Sequence, residues 1–297
     1  MTGVVPCSPS AAFADEIGPD PQLQVDVLKK CGVRHIEFRS IHGTNVLALS
    51  DAQVREFKAL LDANGFKLSA IGSPIGKVRI DEPFAPHLEK FERAIELCKL
   101  FGTPNIRVFS YYPPEGKEWD QAAGQYRAEV MERMLRKCER AKKAGVRLVH
   151  ENEHRIYGDS PARVVDLLAT VLAKYDTSVF GAVYDAANYV FCGYDPWEGW
   201  EKTRDRTVHF HIKDWKAGEK HGSIPGEGQD RSHASSPTPS SAATTASRRW
   251  NRIFWAAGRR AGRRGRSCFP GQWRRFGGLS RRRAGRRIDC RKSEPEA

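Results

Sequence analysis

The chain has 297 residues and a formal net charge of +13, but residues 229–297 hold 18 of its 49 basic residues and only four of its 36 acidic ones. The first 228 residues are therefore close to neutral, and the charge that would suggest a nucleic-acid or membrane partner is confined to the tail. No stretch has the length of an apolar membrane span, and the first residues lack the basic start and apolar run of a signal peptide. The seven cysteines show no CxxC or paired spacing, which argues against a disulfide framework or a zinc knuckle and favours a cytoplasmic protein.

One structural unit recurs to about residue 215: a short β-branched or aromatic run, a loop, an amphipathic helix and a Gly-containing turn. Helices are predicted from Ser50, where Gln53 completes a capping box, from Ser160, and over residues 89–101 and 123–145. Strands are predicted at residues 4–8, 35–39, 68–72, 105–110, 147–151, 180–185 and 207–213.

This alternation predicts an α/β fold with parallel strands joined by right-handed crossovers. Seven strands are one short of a (β/α)8 barrel. A doubly wound sheet is the competing fold, but no Gly-rich phosphate loop follows the first strand.

Polar side chains end three consecutive predicted strands. Glu151 ends one strand, Asp185 ends the next, and His209, His211 and Lys213 share one face of the third by strand alternation. Chemistry in a barrel sits at the carboxyl ends of the strands. Any one of these residues alone is more often a solvated strand end, but together two carboxylates and an imidazole suit a divalent cation such as Mn²⁺, Mg²⁺, Co²⁺ or Zn²⁺.

Further polar residues follow strands or lie one turn beyond them. Lys77 and Arg107 suit a substrate hydroxyl or phosphate, or an ion pair inside the barrel. Asn188, three residues after Asp185, suits a substrate oxygen or a turn cap. The predicted substrate-binding residues are Glu37, Lys77, Arg107, Asn188, His209 and Lys213.

Six short motifs follow one another between about residue 8 and residue 228: IEFRS, GSPIGK, IRVFSYY, HENEHRIYG, YDAANYVFCGYDPW and HFHIKDW. Through these motifs the chain resembles the sugar phosphate isomerase/epimerase group of the xylose isomerase-like TIM barrels. This group includes tagatose 3-epimerase-like enzymes and inosose dehydratases. The resemblance implies one divalent metal ion held by Glu, Asp, His and Glu on successive strands. Glu151, Asp185 and His211 match the first three ligands, and the fourth, a Glu in an EPHL-like motif, is absent.

The same resemblance implies an activity. Enzymes of this group isomerise or epimerise small sugars, sugar phosphates or polyol-ketones by proton transfer through an enediolate, with the metal polarising the carbonyl. Glu151 then carries the catalytic role of one of the two metal-bound glutamates. Many members are dimers or tetramers, so a homo-oligomer is also implied.

The tail has the composition of a GC-rich message translated in a wrong frame, with 17 Arg and one Lys. When each codon is rebuilt from the last base of one codon and the first two of the next, residues 234–247 permit (I/L/V)LADAVVGGYDGF. Residues 247–255 permit VEPHLL after two free positions, and residues 264–269 permit GPELF. These strings are typical of the C-terminal end of the resembled group, which indicates a single-base deletion, or its equivalent, near Gly228.

The sequence therefore predicts two parts. Residues 1–228 form a xylose isomerase-like barrel that is incomplete, because its last strand and helix are lost. Residues 229–297 form a basic out-of-frame tail that is disordered and binds polyanions without specificity. We expect poor solubility, weak metal binding and little activity, since an open barrel exposes two unpaired strand edges.

Other functions remain as alternatives. An endonuclease-IV-like phosphodiesterase shares the fold but needs more His and carboxylate ligands than one Glu-Asp-His set. A non-enzymatic product of a broken gene is the second alternative. The tail itself, with its Arg clusters and interleaved aromatic residues, also fits a genuine nucleic-acid-binding arm.

Resequencing the gene across the codons for residues 222–255 tests the frameshift. We expect an additional base there, which would restore the EPHL-bearing strand and yield an intact metal-dependent enzyme. An unchanged DNA sequence together with full catalytic competence of the chain as written would contradict the prediction.

Overall fold

The computed structural model describes residues 10–216, 218, 222–223 and 228–229, and the backbone of residues 251–254. The chain divides into two units, Met1–Gly258 and Arg259–Ala297, and every described residue belongs to the first. The predicted strand at residues 4–8 and most of the predicted tail lie outside the described residues.

Eight parallel strands close into a barrel, and two short strands form an antiparallel ribbon beside it. The strands are β1 (Ser10–Ala12), β2 (His35–Phe38), β3 (Ser40–Ile41), β4 (Thr44–Asn45), β5 (Lys67–Ile71), β6 (Asn105–Val108), β7 (Arg147–Glu151), β8 (Phe180–Asp185), β9 (Thr207–Ile212) and β10 (Asn251–Phe254). The order around the barrel is β1-β10-β9-β8-β7-β6-β5-β2, and β3 pairs with β4. The prediction of an α/β TIM barrel is confirmed.

Helices follow most of the barrel strands, as the crossover connections require. They are α1 (Pro21–Lys30), α2 (Asp51–Ala63), α3 (Phe84–Phe101), α4 (Trp119–Ala144), α5 (Pro161–Leu172), α6 (Ala186–Phe191) and α7 (Pro196–Thr203). The predicted capping box is present, with Ser50 and Gln53 bonded reciprocally at the start of α2, and Ser160 caps α5. No helix within the described part of the chain is long and apolar enough to cross a bilayer.

The last barrel strand corrects the prediction of an incomplete barrel. β10 comes from the predicted out-of-frame tail and lies parallel between β1 and β9. Two physical reasons account for it. The edges of β1 and β9 present backbone donors and acceptors that need partners, and Ile253 and Phe254 belong to the β-prone residue types within the tail. The expectation that the last strand is lost is corrected for the backbone of residues 251–254, whereas the expected loss of the last helix concerns residues outside the described ones and stays a prediction.

One buried ionisable residue stands apart from the barrel interior. Lys137, on α4, has no exposed surface, and its Nζ has no hydrogen-bond partner among the described residues. Its ammonium group lies 4.6 Å from the centroid of the Tyr111 ring. Burial, with a smaller contribution from Arg133, lowers the pKa of Lys137 to about 7. The folded chain therefore holds a lysine that is largely neutral above neutral pH.

Replacing this lysine tests its energetic effect. An unfolded lysine titrates near pH 10.5, so between about pH 7 and 10.5 the unfolded chain binds more protons and the free energy of unfolding rises with pH. Below pH 7 the full penalty of the buried charge is present. We expect Lys137→Met to raise the free energy of unfolding by roughly 1–4 kcal/mol at pH 6, and by less at pH 9.5.

Urea unfolding of both proteins across this pH range measures the effect. The control is Lys143→Met on the same helix, where the side chain is 74% exposed and pairs with Glu139, so its effect should stay below about 1 kcal/mol. A stability difference for Lys137→Met that does not change with pH would contradict the assignment.

Candidate metal centre

Three residues from neighbouring strands meet at the carboxyl end of the barrel. Glu151 is the last residue of β7 and Asp185 the last of β8, and Asp185 is paired in register with His211 of β9. One ligand atom from each of the three lies within 4.8 Å of the others. The structure thus brings together the three residues that the sequence predicts as metal ligands.

The His211 imidazole is the centre of this group. Its Nδ1 lies 2.7 Å from Glu151 Oε1 and 3.7 Å from Asp185 Oδ2. Its Nε2 lies 3.3 Å from Glu37 Oε2 on the opposite edge of the ring. The Phe13 ring meets the imidazole edge to face, with 5.0 Å between ring centroids. The ring is therefore fixed by carboxylates on both edges and by an aromatic neighbour.

Arg107 of β6 links two of the buried carboxylates. Its Nη1 donates to Glu151 Oε2 at 3.1 Å, its Nε lies 3.3 Å from Glu37 Oε1, and its Nη2 donates to the Gly72 carbonyl oxygen at 3.2 Å. With two carboxylates in contact with its guanidinium, Arg107 forms the internal ion pair that the sequence left as the alternative to substrate binding.

Asp185 is held from both its backbone and its side chain. Asn152 exchanges two hydrogen bonds with the Asp185 backbone, and Asp185 Oδ1 accepts the Asn188 backbone N–H at the start of α6. The Lys213 ammonium group lies 3.0 Å from Asp185 Oδ2 and donates to Asn188 Oδ1 at 2.6 Å. Burial would lower the pKa of Lys213, but Asp185, Glu153 and Glu151 together raise that pKa above its usual value.

The buried charges shift one another strongly. Burial alone would raise the pKa of Glu151, yet His211 and Arg107 outweigh it and hold that pKa well below its usual range. The same two partners lower the pKa of Glu37 against its burial. Burial would lower the pKa of His211, but Glu151 and Glu37 raise it well above its usual value. A cation that binds Nδ1 of His211 therefore competes with a proton.

The remaining predicted residues lie at different depths. Lys77, in the loop after β5, pairs with Glu153 at 3.0 Å, and its ammonium group lies 4.3 Å from the centroid of the Phe109 ring. Its side chain is 32% exposed, and its ion pair with Glu153 does not involve any of the three predicted ligands. His209 is buried, with Nε2 at 3.1 Å from Glu37 Oε2.

Sequence reasoning missed two supporting residues. Asn152 follows directly after Glu151, and its side chain positions Asp185; a polar residue next to a strand end was the only local signal. Phe13 follows β1 and packs against both His211 and the guanidinium of Arg39, whose Cζ lies 4.1 Å from the ring centroid. Nothing in the local pattern around Phe13 indicates these contacts.

The donor set fits a divalent cation. Two carboxylates and one imidazole are oxygen and nitrogen ligands suited to Mg²⁺, Mn²⁺, Co²⁺ or Zn²⁺. All three side chains are buried, so each is held in place, and the Glu151 and His211 atoms that face each other would both be available to one ion. Within the described residues this trio supplies three ligands and leaves further positions for water or substrate.

The comparisons with known proteins agree with this architecture. The family model for xylose isomerase-like TIM barrels matches residues 25–235. The probable 3-DHS dehydratase AsbF from Bacillus anthracis superposes with a TM-score of 0.67 at 15% identity, covering 91% of this chain and 98% of that chain. A xylose isomerase-like TIM barrel protein from Mycobacterium smegmatis in complex with magnesium has a TM-score of 0.63 at 16% identity, covering 95% and 98%.

A third solved structure, 3-keto-D-glucoside 4-epimerase YcjR from E. coli, has a TM-score of 0.62 at 13% identity and covers 93% of this chain and 99% of that chain. At such identities the likeness concerns the fold. A search of the curated proteins finds no match. The family match spans well over half of the sequence and contains all three residues of the trio, and on that ground the chain belongs to the xylose isomerase-like TIM barrel family.

Proposed function

We propose that this barrel is a metal-dependent isomerase or epimerase of a small sugar, sugar phosphate or polyol-ketone. The observation that carries the proposal is the convergence of Glu151, Asp185 and His211 within 4.8 Å at the carboxyl end of the barrel. This end is where barrel enzymes carry out their chemistry. When bound, a divalent cation would polarise the substrate carbonyl and stabilise the charge that develops on its oxygen.

Glu151 is the proposed catalytic base. Its carboxylate is ionised because Arg107 and His211 stabilise the charge, and Arg107 and Asn188 fix its two oxygens through hydrogen bonds. An ionised, oriented carboxylate next to the cation is suited to remove a proton from the carbon beside a carbonyl and to return it to the neighbouring carbon, which gives an isomer. An epimer forms when an acid on the opposite face, a second side chain or a water molecule, returns a proton to the same carbon.

The partly exposed and the buried residues take different proposed roles. Lys213 and Lys77, whose side chains are 15% and 32% exposed, offer ammonium donors that suit a hydroxyl-rich or anionic substrate. Asn188 is buried and donates to Glu151 Oε1, so we propose that it orients this carboxylate. Glu37 and His209 are buried and contact each other, so we propose that they support the site. We place Arg107 with them, since its guanidinium contacts the Glu37 and Glu151 carboxylates.

Two comparisons support the reaction class. A dehydratase and an epimerase of a keto-sugar are among the proteins with this fold, and both names are consistent with chemistry at a carbon near a carbonyl. The magnesium in the Mycobacterium smegmatis protein supports a divalent cation. We expect a small sugar-like molecule as the partner of this site.

Deuterium exchange tests the reaction class across a panel of candidate substrates. The full chain is incubated in D₂O with Mg²⁺ or Zn²⁺ and a series of ketoses, ketose phosphates and polyol-ketones, and proton NMR follows the carbons beside the carbonyl. We expect exchange with at least one class, and a loss of about 10²–10⁴-fold in Glu151→Gln, which keeps the shape but lacks the base.

The matched control is Glu115→Gln. The Glu115 side chain is 86% exposed and pairs with Arg79, and Glu115 is not one of the three proposed ligands. Its exchange rate should equal that of the unmodified chain. Absence of exchange for every class, in protein shown to hold the cation, would rule out the proposed reaction.

Metal affinity tests the ligand set independently of activity. Asp185→Asn removes one anionic ligand, so we expect Zn²⁺ to bind more than about 100-fold more weakly, beyond the loss of about 10–100-fold typical of an outer-shell partner. Zn²⁺ should also raise the Tm of the unmodified chain more than that of the variant. The control is Asp62→Asn, which changes a 61% exposed side chain on α2. Equal affinity in all three proteins would contradict the assignment of Asp185.

A further inference from the structure

Glu37 contacts two buried imidazoles and one guanidinium beside the proposed metal ligands. The residue has no exposed surface. Its Oε2 lies 3.3 Å from His211 Nε2 and 3.1 Å from His209 Nε2, and its Oε1 lies 3.3 Å from Arg107 Nε. These contacts of the carboxylate are all with side chains of the barrel interior.

The two edges of the His211 ring are chemically unequal. A neutral imidazole has one nitrogen that carries a proton and one that offers a lone pair. Nδ1 faces two carboxylates, Glu151 and Asp185, whereas Nε2 faces the single carboxylate of Glu37. If Nδ1 gives its lone pair to a cation, the proton must reside on Nε2 and needs an acceptor there.

We propose that Glu37 is a positioning residue that accepts the Nε2–H of His211 and thereby reserves Nδ1 as the ligand atom for the divalent cation. The inference rests on the proposed function, because it requires a cation between Glu151, Asp185 and His211. His209 acts with Glu37, since its Nε2–H donates to the same oxygen and holds the carboxylate toward the His211 ring.

A second trio, Glu37, His209 and His211, has ligand atoms equally close together. It offers one carboxylate instead of two, and two anionic ligands attract a dication more strongly than one. One neutral imidazole cannot give lone pairs on both edges, so the two trios exclude each other, and the geometry favours the side with two carboxylates.

Imidazole NMR of the Zn²⁺-loaded full chain tests this assignment directly. Long-range proton–nitrogen spectra of ¹⁵N-histidine-labelled protein report which ring nitrogen is protonated and which is bound to metal, and His211→Gln identifies the His211 signals. We expect a metal-bound Nδ1 and a protonated Nε2 for His211. A metal-bound Nε2 would overturn the inference, and this readout requires no Glu37 variant to fold.

The variant Glu37→Gln tests the energetic contribution. We expect Zn²⁺ affinity, measured by chelator competition, to fall by about 10–100-fold, with His211 no longer confined to one tautomer. The control Glu92→Gln removes an exposed carboxylate that pairs with Arg140 between α3 and α4 and should leave affinity unchanged. Circular dichroism verifies that both variants are folded.

The outcomes separate the inference from the function on which it rests. Absence of Zn²⁺ binding by the unmodified chain would overturn the proposed metal-dependent function and this inference together. Tight binding by the unmodified chain, with the same affinity and the same Nδ1 signal in folded Glu37→Gln, would overturn the role of Glu37 alone.

Discussion

Three carboxylates are buried inside one barrel, and the arrangement of the site follows from the need to neutralise them there. Glu37, Glu151 and Asp185 are each at most 3% exposed, and an unpaired buried charge is strongly unfavourable. Arg107, His211 and Lys213 supply the compensating groups. Each cation contacts more than one acceptor, so none of the strands that carry these groups (β2, β6, β7, β8 and β9) can shift without separating charges contributed by another.

This constraint explains why small residues and backbone groups accompany the charged ones. At Gly72, after β5, a Cβ atom would come within 2.8 Å of the Arg39 side chain and 3.1 Å of the Glu37 side chain. The absence of a side chain there allows the Glu37 and Arg39 side chains to lie against the backbone, and the Gly72 carbonyl oxygen accepts from the Arg107 guanidinium. Near Asp185 it is Asn152 that supports the site, because its side chain exchanges two hydrogen bonds with the Asp185 backbone.

Sequence patterns predicted the parts of this molecule that depend on local order. Strand and helix alternation indicated a parallel barrel, and the polar ends of β7, β8 and β9 indicated that Glu151, Asp185 and His211 would meet, because parallel strands place their carboxyl ends at one edge. The position of Glu37 beneath His211 was not predictable in this way. It depends on a contact between His209 and Glu37, which are 172 residues apart in the chain, and on barrel closure, which local periodicity does not report.

The pairing of β1 with β10 has a consequence for how the barrel is made. Ser10 lies opposite Arg252, so the seam joins segments from near the two ends of the first unit, and this contact has the greatest sequence separation of the sheet. Loop-closure entropy disfavours such contacts until nearer ones have formed. The strands of the curled sheet from β2 to β9 can pair with strands that are near in sequence. The pairing of β1 with β10 can form only after both of these strands are in place. The order of assembly therefore places the pairing of β1 with β10 late in folding.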